Sequence, residues 1–334
     1  MTDLYEYAPA PGALAYTFGG VAPVAHLRPG QAVRIATEDC FGGRVRTVDD
    51  LPSRVCRFPY LNPVSGPFHV AGAVPGDTLA LHVVSITPTR DHGMSSTFPH
   101  FGALTGTHAT ATLQPALEER VWRYEIDAAA GTVRYAARRS AVTVDLPLAP
   151  MLGTVGVAPA AGEARMTIVP DTHGGNLDTP RIRPGATVYL PVFVEGALFA
   201  IGDGHARQGD GEACGVAVEA AMSTVLLVDL IKGVPTPTPR IESDAELMSA
   251  GSARPLEDAY RMSQRDLVGW VGALTGLETL DAYQLLSQAG TAPVGNVVDA
   301  NYTMLAAVDK RFVPGGPAYD GAHARLRAAA EAYR

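Results

Sequence analysis

The chain has 334 residues, of which 47% are hydrophobic and 18% are charged, and these proportions are typical of a globular protein with a large core. Its formal net charge is −8 and its basic residues form no block, so nucleic acids and anionic membranes are poor partners for it. Its apolar runs are shorter than the roughly 20 residues that a membrane-spanning helix needs.

The N-terminal region and the cysteines indicate the cellular compartment of the protein. The opening stretch MTDLYEYAPAPGALAYTFGG lacks the basic and apolar regions of a signal peptide. The three cysteines, Cys40, Cys56 and Cys214, form no CxxC pair, and their odd number suits reduced thiols better than a disulfide framework. We therefore expect a cytoplasmic protein. The sequence does not determine the oligomeric state, for which our expectation is a homo-oligomer.

Residues 1–150 predict short strands separated by turns. The stretch QAVRIATED alternates apolar and polar residues, and GDTLALHVVSITP alternates before it becomes continuously apolar, as strands do. A Pro-Gly-x unit precedes a strand at Gly30, Gly76 and Gly185, and a type II turn requires glycine at this position because φ is positive there. The same pattern continues through 151–235. We therefore predict an N-terminal β-rich domain followed by a central β-rich part that carries the site motifs.

Residues 236–334 carry the clear helical patterns. In PLEDAYRMSQRDLVGWVGALTG the apolar side chains recur at helical spacing, with proline at the start and glycine at the end. The stretch LETLDAYQLLSQAG places Leu280, Tyr283 and Leu286 on one face of a second helix, and a last helix is predicted over roughly 320–333. The predicted fold class is α+β, predominantly β, with β-sandwich or barrel-like N-terminal and central parts and a smaller helix-containing C-terminal part.

The polar stretch IGDGHARQGDGE, residues 201–212, follows the apolar run VYLPVFVEGALFA. It sets Asp203, His205, Asp210 and Glu212 within ten residues, among four glycines. Carboxylates this close repel one another unless a proton or a cation neutralises them. A mixed set of histidine and carboxylate ligands suits Zn²⁺, whereas a set of oxygens alone favours Ca²⁺. The stretch predicts a divalent metal, with zinc first and calcium as the alternative.

Three further stretches combine polar side chains with glycines. They are PDTHGGNLD with His173 and Asn176, TEDCFGGRV with Asp39, and DHGMSSTFPHFGALTG with His100. Each motif taken alone is also typical of ordinary turns, and a single histidine is more often a core or surface residue than a ligand. The sequence contains no GxSxG elbow, no GxGxxG opening a helix and no P-loop, which disfavours a serine hydrolase and a nucleotide-binding protein.

With these residues in view, the chain resembles the acetamidase/formamidase family of metal-dependent amide hydrolases from about residue 25 to residue 312. The resemblance depends on NPVSGPFHVAGAVPGDTLALHV, GTVGVAPA, HGGNLD and, above all, VYLPVFVEGALFAIGDGHARQGDGEACGVAVEAAM at 188–222. His100 in PHFGAL stands where family members tend to have glycine. We expect His100 and Phe101 to contact the substrate, and His100 to make the preferred amide differ from formamide or acetamide.

The resemblance implies hydrolysis of the linear C–N bond of a small, formamide- or acetamide-like amide by a metal-activated water. Residue chemistry and motif position then predict the general base as Glu212, with Glu219 as the alternative, and make Asn176 a candidate for holding the amide or its oxyanion. The predicted metal ligands, the last of them in reserve, are Asp39, His173, Asp203, His205 and Asp210. The expected partner is a small-molecule amide, with no nucleic acid and no membrane.

Two other functions stay open at this point. The same scaffold could serve a hydrolase of a larger amide, a carbamate or a cyclic amide. A non-catalytic, metal-stabilised β-rich binding protein would also explain the clustered carboxylates, and it would need no spare base.

Overall fold

The computed structural model describes residues 4–10, 12–104 and 116–333. Its strands are β1 (Leu4–Tyr7), β2 (Thr17–Phe18), β3 (Ala25–Leu27), β4 (Gln31–Thr37), β5 (Val64–Val70), β6 (Thr78–Pro88), β7 (His92–Thr97), β8 (Arg120–Asp127), β9 (Thr132–Ala136), β10 (Thr143–Pro147), β11 (Met151–Gly156), β12 (Arg165–Met166), β13 (Gly174–Asn176), β14 (Thr187–Pro191), β15 (Phe199–Arg207), β16 (Val218–Glu219), β17 (Met222–Ile231), β18 (Arg240–Glu242), β19 (Glu246–Ala253), β20 (Gly290–Thr291), β21 (Val294–Asn296) and β22 (Tyr302–Asp309). Its α-helices are α1 (Pro52–Val55), α2 (Leu256–Thr275), α3 (Thr279–Ala289) and α4 (Ala322–Ala330). Among the described residues, none of these helices is long and apolar enough to cross a membrane.

Sheet 1 is a ten-stranded layer in the middle of the molecule, with the strand order β1-β4-β17-β6-β14-β18-β19-β22-β20 and with β21 paired to β22. Successive side chains of a strand point to opposite faces, and β4 shows the result. Val33 and Ile35 enter the core shared with the second sheet, whereas Ala32 belongs to a cluster that contains Leu326 of α4. Helix α2 packs against β19 and β22 of the same sheet. Sheet 1 is therefore covered on both faces.

Sheet 2 also has ten strands, in the order β10-β9-β8-β7-β16-β15-β11-β13, and β5 pairs with both β15 and β3. Strands β2 and β12 form a separate short pair. Side chains of sheet 2 such as Phe68, Leu152 and Phe199 pack with Leu81 and Val188 of sheet 1 in one core. Within the described residues, neither strand order returns to its first strand. The fold is thus an open β-sandwich with a small helical C-terminal part, which confirms the predicted fold class.

Several local predictions from the sequence are confirmed. Gly30, Gly76 and Gly185 have φ values of 82°, 94° and 89°, as the type II turns require. The helix predicted after Pro255 is α2, and it ends at Gly276, which has the left-handed conformation with φ of 76°. The last predicted helix is present as α4, with 3₁₀ turns on both sides of it.

Of the three side chains predicted on one face of α3, only Leu286 is buried. Leu280 and Tyr283 are 69% and 57% exposed, whereas Ala282 and Leu286 are buried in a cluster with α2. The helix approaches α2 through the small Ala282, whose Cβ lies 3.9 Å from a Cβ placed on Gly272. The close approach at Ala282 and Gly272 turns Ala282 and Leu286 inwards, and it leaves Leu280 and Tyr283 towards solvent.

The three predicted segments are interleaved in the structure. Sheet 1 takes β4 from segment 1–150, β17 from segment 151–235 and β19 from segment 236–334. Sheet 2 is built from the first two segments. A division of the chain into domains at these boundaries stays a prediction.

Candidate functional site

Strand β15 carries the centre of the candidate site. Asp203 and His205 are two residues apart on it, so they point to the same face, and both are buried. The glycines beside them permit close packing of the chain, because a Cβ on Gly204 would collide with the side chain of Met222. The sequence GDGH therefore combines two side chains that can bind a metal ion, Asp203 and His205, with two glycines. The glycines let the neighbouring strands pack closely against β15.

Further carboxylates reach the same point from neighbouring elements. Glu219 lies opposite His205 in the register of β15 and β16. His205 Nε2 is 3.3 Å from Glu219 Oε2 and 3.4 Å from Asp203 Oδ1. Asp178, just after β13, forms with Asp203 and His205 a group whose ligand atoms all lie within 4.8 Å of one another, and His205 forms a second such group with Glu212 and Glu219. Four carboxylates thus surround one imidazole.

Four buried atoms of this cluster have no hydrogen-bond partner. They are Asp178 Oδ1, Asp203 Oδ1, His205 Nε2 and Glu219 Oε2. Leaving a buried polar atom unpaired costs about 1–3 kcal/mol, so such atoms are rare in folded proteins. Oxygen and imidazole nitrogen atoms that lack partners and converge on one point are the donor set that a divalent cation prefers. The residues present therefore fit a metal ion.

Gln208 determines which nitrogen of His205 faces the carboxylates. The side-chain amide of Gln208 donates to the carbonyl oxygens of Asp178 (2.5 Å) and Gly295 (3.2 Å), which can only accept. Its Oε1 consequently accepts from His205 Nδ1 at 2.8 Å, so Nδ1 carries the proton. In the neutral ring, the lone pair of Nε2 then points towards carboxylate oxygens. This arrangement is unfavourable unless a cation or a second proton lies between them.

Burial and charge shift the pKa values of the cluster. Burial raises the pKa of Glu219 and that of Asp299 to about 7, and it holds the pKa of Glu212 well above its usual value. For Asp203, burial alone would raise the pKa, but the neighbouring His205 lowers it below its usual value. For His205, burial opposes ionisation, but the charges of Glu219 and Asp203 raise its pKa well above the usual value. The two shifts share one cause, which is the close approach of the His205 ring to these carboxylates.

Asn176 connects the carboxylates to one another. Its side-chain nitrogen donates to Asp178 Oδ2 (2.7 Å) and Asp299 Oδ2 (2.8 Å), and its oxygen accepts from Asn62 Nδ2 (3.1 Å) and from the Thr154 hydroxyl. A carboxamide has two donor hydrogens and two acceptor lone pairs, and all four are used here. In this structure the side chain of Asn176 therefore uses all of its donor hydrogens and acceptor lone pairs within the protein.

Unusual backbone conformations gather at the site. Asn62, Asp178, Asp203 and Glu212 have φ values of 49°, 44°, 54° and 47°. Residues other than glycine seldom occupy this left-handed region, and such conformations concentrate at functional sites, where the surrounding structure enforces them.

Asp39 lies outside the ligand clusters. Its Oδ1 accepts from the backbone N–H groups of Phe41 and Gly43, and its Oδ2 is 3.3 Å from Arg90. Burial, followed by the neighbouring Glu38, raises the pKa of Asp39 to about 6. Both side-chain oxygens of Asp39 therefore already have partners within the protein.

The structure also leaves His173 and Asp210 out of the ligand groups. His173 is buried beside Phe18, with ring centroids 5.3 Å apart, and burial lowers its pKa to about 4. Asp210 lies at the surface with about half of its side chain exposed, 4.0 Å from Arg181. Proximity to a glycine-rich motif along the chain did not bring these side chains to the cluster.

A cavity of about 320 Å³ borders the cluster. His100 and Phe101, the predicted substrate contacts, both line it. His100 has a φ of 63°, which glycine adopts without cost, so the position suits the glycine that the resemblance led us to expect there. The polar side chains of the lining are Asn62, Asn176, Asp203, Glu212, Glu219, Asp299 and His100.

Sequence reasoning missed several residues of this network. Asp178 lies within the HGGNLD motif, so that motif offered a signal for it. Gln208 follows His205 by three residues in the polar stretch, but nothing local indicates its hydrogen bonds. Asn62 and Asp299 come from distant parts of the chain and stand in no recognisable pattern, so only the fold reveals them.

An open β-sandwich with a buried carboxylate–histidine centre beside a cavity defines the structural class of this protein. Comparison with known sequences then specifies it. The chain belongs to the acetamidase/formamidase family, which it matches over residues 18–162 and 159–260.

Individual relatives agree with this assignment. The chain is 26% identical over 267 residues to an acetamidase from Mycolicibacterium smegmatis, and the match covers 64% of each protein, so it spans less than two thirds of that curated relative. Among solved structures, the chain is similar to an acetamidase from Yersinia enterocolitica, with 43% identity, a TM-score of 0.84 and coverage of 90% of this chain and 89% of the other. It is also similar to an acetamidase from Bacillus halodurans, with 30% identity, a TM-score of 0.81 and coverage of 92% and 98%.

Proposed function

We propose that the protein is an amidase that hydrolyses the C–N bond of a carboxamide to a carboxylate and ammonia. The observation that carries the proposal is the convergence of four unpartnered buried atoms beside a cavity, in a chain of the acetamidase/formamidase family. An amide resists hydrolysis because its carbonyl carbon is a poor electrophile and its amine a poor leaving group. A suitable site therefore needs an electrophilic centre, a base and a proton donor, and the cluster contains candidates for each.

We propose Asp178, Asp203 and His205 as ligands of a divalent cation, zinc in the first instance. Glu219 Oε2 lies 3.3 Å from the same nitrogen, His205 Nε2, and is a further candidate ligand. These residues form a compact group with mixed nitrogen and oxygen donors, which argues against calcium. When bound, such an ion polarises a carbonyl oxygen and lowers the pKa of a water to about 7. The hydrogen bond from His205 Nδ1 to Gln208 keeps Nε2 available as a ligand.

Glu212 is the proposed general base. It lines the cavity and is buried. Among the described residues, no protein group donates a hydrogen bond to its side-chain oxygens, whereas Oδ1 of Asp39 accepts two. A base that must take a proton and then give it to the departing amine works best with a pKa nearer neutrality, and burial shifts Glu212 in that direction. Asn176 holds Asp178 and Asp299 in place, so we assign it a positioning role.

Replacing Glu212 tests the proposed chemistry. Glu212→Gln keeps the size and removes the proton acceptor, so ammonia release should fall by roughly 10²–10⁴-fold while bound metal is retained. The matched control is Asp210→Asn, two residues away at the surface, which should keep its activity. Wild-type activity in Glu212→Gln would refute the assignment, and loss of activity in Glu219→Gln alone would transfer the role of base to Glu219.

The same assay separates the amidase from a metal-stabilised binding protein. The binding protein would hold metal and release no ammonia from any amide, with or without a chelator. Release of ammonia that depends on Glu212 would exclude it.

We also propose that the protein works in the cytoplasm as a homo-oligomer. The three cysteines are free in the structure, which suits a reducing compartment. Cell fractionation and the solution mass of the purified protein test these two points.

A further inference from the structure

The cavity beside the cluster is large for the smallest amides. Its volume is about 320 Å³. Acetamide has four non-hydrogen atoms and takes on the order of 100 Å³, on a scale where a water molecule occupies about 30 Å³ of liquid. An acetamide bound at the cluster would leave most of the cavity to water. The space suits an amide whose acyl group is larger than the acetyl group of acetamide.

The lining combines carboxylates with apolar side chains. Asp203, Glu212 and Glu219 belong to the metal-ligand cluster, and most of the other side chains of the lining are aromatic or aliphatic. The larger of these apolar side chains are Phe58, Leu61, Phe98, Phe101 and Ile168. Sites of this kind use a few polar groups to orient the reacting bond and an apolar wall to hold the remainder of the ligand.

Phe98 and Phe101 form an aromatic wall of the cavity, which packs against the loop that follows Glu212. Phe98 and Phe101 pack edge to face, with ring centroids 6.2 Å apart and an interplanar angle of 84°. The Phe101 ring lies so close to Gly215 that a Cβ there would collide with it. The backbone N–H of Ala103 donates to the carbonyl of Ala213 at 2.7 Å. These contacts connect Phe98 and Phe101 to the stretch of chain that follows the proposed base, Glu212.

The charge of the lining restricts the acyl group further. Among the described residues that line the cavity there is no lysine or arginine, whereas Asp203, Glu212, Glu219 and Asp299 all contribute to it. If Asp178 and Asp203 balance the charge of the proposed cation, a carboxylate on the acyl group would still meet Glu212, Glu219 and Asp299 and no cationic side chain among the described lining residues. A cationic acyl group would lose its water against the apolar wall, so a neutral acyl group fits the cavity best.

We propose that the preferred substrates are neutral primary amides whose acyl group is an aromatic ring or a branched apolar chain, packed against Phe98 and Phe101. This inference depends on the proposed amidase function and adds the substrate class to it. The carboxamide would face the cluster, and the apolar group would replace water along the aromatic wall.

A series of amides tests the substrate class. We expect kcat/KM for benzamide, phenylacetamide or isobutyramide to exceed that for acetamide by at least about tenfold, since each added methylene in an apolar pocket contributes roughly 10- to 200-fold. Succinamate, which carries a carboxylate, should be hydrolysed at least about tenfold less efficiently than butyramide. An equal or greater kcat/KM for acetamide overturns the inference and leaves the amidase function intact. A preference for succinamate, or for the cationic 4-aminobutanamide over butyramide, also overturns it. Absence of turnover on every amide overturns both.

Substitution of the wall tests its role directly. Phe101→Ala should lower the ratio of kcat/KM for phenylacetamide to that for acetamide by at least about tenfold, mostly through KM. The matched control is Phe312→Ala, a partly exposed phenylalanine that does not line the cavity, and it should leave the ratio unchanged. Phe101→Leu retains an apolar side chain and covers the case in which the alanine variant folds poorly, with an expected intermediate ratio. A wild-type ratio in both Phe101 variants would contradict the proposal.

Discussion

Adding a single methyl group at Gly153 should disable the site. A Cβ at this position of β11 would lie 2.5 Å from both Asp178 Oδ1 and Asp203 Oδ2. Ordinary contacts begin near 3.4 Å, so each carboxylate oxygen has to move by about 0.9 Å. A displacement of about 1 Å at reacting groups costs on the order of 10²-fold in rate, and overpacking costs about 1–3 kcal/mol in stability. We therefore expect Gly153→Ala to lose roughly 10²-fold in kcat and to bind metal more weakly.

The control for this experiment is Gly209→Ala. A Cβ on Gly209 meets no atom within 4 Å, although this residue directly follows Gln208 in the site stretch. Ammonia release, bound metal and thermal unfolding should be measured for both variants. Wild-type turnover and metal content in Gly153→Ala would show that the positions of Asp178 and Asp203 do not matter to the chemistry, and would exclude their proposed role.

Two further predictions concern Gln208 and His173. Gln208→Leu removes the acceptor that holds the proton on His205 Nδ1, so zinc affinity measured by titration calorimetry should fall by roughly 10- to 100-fold, and an unchanged affinity would exclude this role. His173 has its pKa lowered by burial to about 4, so it stays neutral in the folded protein while the unfolded chain takes up a proton below the ordinary value of 6.5. The contribution of neutral His173 to the free energy of unfolding is therefore complete above pH 6.5. It is lost as the pH falls towards 4, by about 3 kcal/mol in total. Denaturant titrations across this range should show a shallower acid loss for His173→Leu than for the wild type, and parallel curves would contradict the assignment.

The sequence was informative where function and fold depend on neighbouring residues. Asp203 and His205 share a strand face because strand side chains alternate, and Glu212 and Glu219 follow within the same stretch of chain. Turn glycines and helix ends could be predicted for the same reason, since a positive φ or an end of helical periodicity is a local property.

The sequence was least informative where contacts join distant segments. Asp299 and Asn62 reach the site only because two sheets bring their loops together, and nothing in their local sequence distinguishes them. Asp39 and His173 stand in motifs that look equally suited to metal binding. The fold instead gives the oxygens of Asp39 to backbone amides and Arg90, and it packs His173 beside Phe18.

We propose that the buried carboxylate–histidine cluster holds a divalent cation on which amide hydrolysis depends. The most direct measurement combines metal analysis of the purified protein with ammonia release from amides before chelation, after chelation and after zinc is restored. We expect about one divalent ion per chain, loss of activity on chelation and recovery with zinc. Full amidase activity in protein shown to be free of metal would contradict it.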